Sequence, residues 1–77
     1  MLSWVMTQPA HRYVINAAFY CLRRKADKPI QVFNSDSYLM AEYNERTGAA
    51  SWQRVVPVSM RESVEKWLLQ NFPPSKN

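Results

Sequence analysis

The chain has 77 residues, of which 47% are hydrophobic, 13% aromatic and 21% charged, and its net charge is +4. That length suits one small domain over residues 1–77 rather than two, and the aromatic content argues against a disordered chain. A charge of this size tolerates phosphates or an acidic partner without requiring either.

The first periodic segment follows Pro9. Val14, Ala17, Ala18, Cys21 and Leu22 recur at the spacing of a helical stripe, which Ile15 and Phe19 widen. Thr7 is a candidate cap and Pro9 suits a first turn, where its missing N–H has no helical partner. The spacing predicts a helix over residues 9–25, preceded by an N-terminal arm over residues 1–8. The competing reading is a buried strand over Tyr13 to Leu22, built from good strand formers; the length without a turn signal and the two central alanines favour the helix. Arg23, Arg24, Lys25 and Lys28, with only Asp27 against them, form the one basic cluster. On the last turn of a helix such residues complement the carbonyl end of the dipole, so a solvated helix terminus is enough to explain them.

Pro29 stops that helix, and a short strand around Ile30 to Phe33 follows, closed by the turn formers Asn34, Ser35 and Asp36. The runs YLMAEY and AASWQRVVPV, separated by NERTG, read as a β-hairpin. Gly48, the single glycine of the chain, then supplies the positive φ of the last loop position, which no other position needs. Two registers remain open. A five-residue loop puts Tyr38, Met40, Trp52 and Arg54 on one face, whereas a shift by one moves Trp52 to the face of Leu39, Ala41 and Tyr43. Pro57, lacking an N–H, marks an edge position or a strand end.

Ser59-Met60-Arg61-Glu62 has the S-x-x-E form of a capping box, which predicts a second helix from residue 60. Met60, Val64, Trp67, Leu68 and Phe72 make its apolar stripe, and Pro73-Pro74 ends it, leaving 73–77 as a frayed tail. The expected architecture is thus α+β in the order α-β-β-β-α, a three-stranded antiparallel sheet with both helices on one face and the other face open.

Motifs for chemistry are absent from the sequence. His11 is the only histidine, Cys21 stands alone in apolar surroundings that would raise its pKa, and one glycine cannot build a phosphate-cradling loop. A non-enzymatic protein without cofactor or metal is expected. The lone cysteine fits a reducing cytoplasm, and the segment MLSWVMTQPAHR lacks the features of a secretory signal. No apolar run approaches the roughly 20 residues of a membrane span.

Two kinds of binding remain. The element order resembles that of double-stranded RNA-binding domains, yet the predicted second helix opens with Met60-Arg61-Glu62 rather than a lysine-rich turn, and the loop after the first strand carries Asp36. A generic nucleic-acid surface would use Tyr38, Trp52, Arg46 and Arg54 on the sheet, extended by Arg23, Arg24, Lys25 and Lys28. The favoured expectation is a protein-binding module, an adaptor, inhibitor or regulator and a candidate homodimer. Tyr38, Tyr43, Trp52, Arg46 and Arg54 are its contact candidates, because aromatic residues and arginine are enriched in interface hot spots. Trp4, with Leu2, Val5 and Met6, forms either a strap on the core or an arm for a second copy.

Overall fold

The computed structural model describes residues 10–24 and 27–74. Five strands, β1 (His11–Val14), β2 (Phe19–Arg23), β3 (Ile30–Asn34), β4 (Leu39–Asn44) and β5 (Ala49–Trp52), precede one helix, α1 (Val58–Asn71). The strands form a single antiparallel meander in the order β1-β2-β3-β4-β5. The fold is therefore α+β, but the expected three strands and two helices are corrected to five strands and one helix.

The correction arises at Asn16. Its Oδ1 accepts from the amides of Ala18 at 2.8 Å and Phe19 at 3.0 Å, while the amides of Ile15 and Asn16 donate to the Phe19 carbonyl. A side chain that captures nearby amides offers the backbone an alternative to the helix. The expected helix over 9–25 is thereby replaced by a hairpin, and its stripe residues Val14 and Cys21 lie on different strands. The proposed cap Thr7 and Pro9 lie outside the described residues, as do Trp4, Leu2, Val5 and Met6.

Cross-strand pairing sets the two faces. Tyr13, Cys21, Val32, Ala41 and Trp52 stand opposite one another in register, as do Ile30, Tyr43 and Ala50. This face meets α1, and Cys21, Ile30, Val32, Ala41, Tyr43, Val64 and Leu68 are each at most 1% exposed. Between Val32 and Phe33 the β3–β4 register shifts by one residue at Met40. Such a bulge turns two successive side chains the same way, and both Met40 and Ala41 are buried. The β4–β5 register resolves the alternative left open by the sequence: Trp52 shares a face with Ala41 and Tyr43.

The β4–β5 loop closes as expected, with Gly48 at φ +76° and its amide donating to the Asn44 carbonyl at 2.8 Å. Positive φ is not confined to that glycine, however. Ser37 has φ 67° in the β3–β4 turn, held by Asn34, whose Oδ1 accepts from the amides of Asp36 and Tyr38.

Helix α1 begins two residues earlier than the capping box predicts. Pro57 occupies the cap position, and its carbonyl accepts from the amides of Met60 and Arg61, both at 3.0 Å. No side chain caps the helix, so Ser59 sits inside the first turn rather than at its boundary. Proline suits this place because its fixed φ and missing N–H cost nothing before the first turn. The stripe holds at Val64 and Leu68, which are buried, with Trp67 and Phe72 packed at its margins, while Met60 is exposed.

Candidate functional site

The residues expected to meet a partner are dispersed. Tyr43 is 1% exposed beneath the helix, and its hydroxyl donates to the Phe72 carbonyl at 2.5 Å. Trp52 also faces the helix, where its Nε1 donates to Glu65 Oε2 at 2.7 Å. Tyr38 is exposed at the start of β4, and the Arg54 guanidinium lies 5.0 Å from its ring centre. Arg46 is exposed in the β4–β5 loop, at the opposite end of that hairpin from the pair.

The basic cluster is divided as well. Arg23 points to the helix side, where it pairs with Glu45 at 2.8 Å and 3.2 Å and covers the Phe72 ring. The hydrogen bond to Glu45 raises its pKa further, and the paired carboxylate offsets one charge of the cluster locally. Arg24 projects from the other face and bonds Gln31. Lys28 and Arg46 border a depression of about 580 Å³, but Asp27, Glu42 and Glu45 border it too, which leaves a mixed field. Lys25 lies outside the described residues.

What the structure does assemble is the open face of the sheet, opposite α1. Alternation brings two rows of side chains onto it. The first runs Val14–Tyr20–Phe33–Leu39 across four neighbouring strands, and the second runs Arg12–Leu22–Gln31–Glu42 across the same strands. Tyr20 and Phe33 stack with ring centres 5.4 Å apart, and the Arg12 guanidinium lies 4.4 Å from the Tyr20 ring centre. The Tyr20 hydroxyl bonds Ser37 Oγ at 2.8 Å, which anchors the far end of the ring to the β3–β4 turn. Val14 is 68% exposed, and Tyr20, Leu22, Phe33 and Leu39 are half-buried with no helix above them among the described residues. Four strands thus present one continuous apolar and aromatic band bounded by an arginine at one end and a glutamate at the other.

Sequence reasoning did not find this band because it assigned residues 9–25 to a helix, where Arg12, Val14, Tyr20 and Leu22 fall on no common face. The available signal was Asn16, a turn former at the midpoint of two runs rich in Tyr, Val, Ile and Phe.

Groups with chemical potential stay outside the band. Cys21 is completely buried, and desolvation pushes its thiol up to about 11. Among the described residues, no three His, Cys, Asp or Glu side chains gather as metal ligands, and no helix is long and apolar enough to cross a membrane. Comparisons with protein-family models, with curated proteins and with solved structures find no match to this chain.

Proposed function

We propose that the chain is a small non-enzymatic protein-binding module whose contact surface is the open sheet face. The observation that carries this reading is the band Val14–Tyr20–Phe33–Leu39, an apolar surface that no helix covers among the described residues. A contiguous patch of this kind on a small domain marks an interaction site, and Tyr20 beside Arg12 supplies the residue types that dominate hot spots.

The geometry favours a protein over a nucleic acid. Base stacking requires a free ring face, but Tyr20 is flanked from the two neighbouring strands by Arg12 and Phe33. Glu42 sits on the same face, and Arg23, which would extend a phosphate track, is bonded to Glu45 on the other. The cytoplasmic setting rests on Cys21, a buried thiol that is the only cysteine of the chain.

Site-specific photo-crosslinking in cells tests the reading. A benzophenone side chain at position 33 is expected to give protein adducts that diminish when Tyr20 is changed to alanine, whereas the same probe at the exposed Lys66 of α1 gives few. Nuclease-sensitive adducts from position 33, or equal yields from both positions, would refute it.

A further inference from the structure

The pattern on the open face is complementary to itself. We infer that the occupant of this face is a second copy of the chain, packed sheet to sheet about a two-fold axis that runs parallel to the strands between β2 and β3. This inference rests on the open face being the contact surface, and it names the partner.

The argument follows from strand order and register. Rotation about such an axis carries β1 over the partner's β4 and β2 over its β3, while leaving each row at its own height along the strands. In the apolar row, Val14 then meets Leu39 of the other copy, and Tyr20 meets Phe33. In the second row, Leu22 meets Gln31, and Arg12 at one end meets Glu42 at the other. Each contact occurs twice, as an isologous interface demands. Apolar residues therefore face apolar residues at the centre, and the two ends of the second row make two opposite-charge pairs. Arg24, beyond the end of β2, is bonded to Gln31 of its own sheet.

The alternative axis, perpendicular to the strands, would invert the rows and leave Arg12 facing partner residues on its own strand, so the charges select the first arrangement. Dimensions permit it. The four strands that pair across this axis, at a spacing of about 4.8 Å, give a contact face roughly 19 Å wide, and two such sheets pack about 10 Å apart. Strands of four to six residues make the footprint roughly 300 Å², below the roughly 800 Å² per partner of a standard interface, so the dimer is expected to be weak and concentration-dependent. A small domain whose described residues leave one sheet face uncovered also gains from the second core that the sandwich creates.

A charge swap read by sedimentation equilibrium tests this. The native protein is expected to dimerise, and Arg12→Glu and Glu42→Arg alone should each weaken the dimer at least about tenfold by setting like charges opposite one another. The double variant Arg12→Glu/Glu42→Arg should recover to within about threefold of native, since the pairs are restored with reversed sign. Circular dichroism of each variant establishes that the fold is retained, and rescue by the double variant would have no explanation in misfolding. A native protein that remains monomeric at about 100 µM, a range covering even weak association, would overturn the inference. So would a dimer indifferent to all three variants, which would place the interface elsewhere, for example along the edge strands β1 or β5. If the protein is monomeric but position 33 still crosslinks to other proteins, self-association falls and the open-face reading stands; loss of both removes both.

Discussion

The Tyr43 hydroxyl donates to the backbone carbonyl of Phe72 at 2.5 Å, joining β4 to the residue that caps α1. A tyrosine that the sequence offers as a contact residue is instead a tether. Burial, then the nearby Glu45 charge, raises its pKa and keeps it a donor. Tyr43→Phe keeps the ring packing but leaves the Phe72 carbonyl without this partner, at an expected cost of about 1–2 kcal/mol. Urea denaturation measures the loss, and amide exchange should accelerate first at the C-terminal turn of α1. An unchanged midpoint would show that water replaces the hydroxyl at no cost.

Gly48 is held by two constraints. Its φ of +76° disfavours any side chain, and a Cβ there would come within 3.2 Å of Pro74 and 3.3 Å of Leu69. Gly48→Ala should therefore destabilise by about 1–3 kcal/mol through backbone strain together with displacement of the segment after α1. Urea denaturation of Gly48→Ala in a background carrying both Leu69→Ala and Pro74→Ala, which removes the two nearest atoms, separates the two: if φ dominates, Gly48→Ala costs as much there as in the native chain.

Ser59→Ala should be nearly neutral, within about 0.5 kcal/mol, because Ser59 makes no capping bond and alanine has the higher helix propensity. A true capping serine would cost about 1 kcal/mol. A thermal melt decides between the two values, and a loss of that larger size would mean that the helix starts at residue 60 in solution.

Cys21 gives the stability curve an alkaline limb. Its pKa rises from 9.0 to about 11 because burial disfavours the thiolate. The folded state therefore holds the proton more tightly than the unfolded state. That contribution is complete below pH 9 and is lost as the pH climbs through 11, at up to about 1.4 kcal/mol per unit. Cys21→Ala, less stable at neutral pH through the lost packing, should converge on the native protein over that range. Parallel denaturation profiles from pH 8 to pH 11 would contradict this origin, because the other titrating groups are common to both chains.

The C-terminal half was legible where local chemistry decides structure. The β4–β5 hairpin, the positive φ at Gly48 and the core positions Val64 and Leu68 all follow from turn preference or period. The N-terminal half was not. Val14, Ala17, Ala18, Cys21 and Leu22 satisfy a helical period by coincidence, and what distinguishes the hairpin is one side chain, Asn16, whose two amide bonds appear only in three dimensions. The capping box misled for a related reason: Pro57, two positions upstream, already starts the helix. Because Arg12, Val14 and Tyr20 reach a common surface only through the strand register, the error at Asn16 also concealed the open face.

The strand order carries a consequence for how the molecule forms. Every strand pairs with its neighbours in sequence, so the sheet can grow by successive short loop closures, a topology associated with fast folding. The contacts that span the chain are those made by α1, such as Tyr13 against Phe72 at 5.2 Å between ring centres. Synthesis delivers that helix after all five strands. Until it docks, a nascent sheet exposes apolar side chains on both faces, and the docking of α1 is the step that distinguishes the inner face from the outer one.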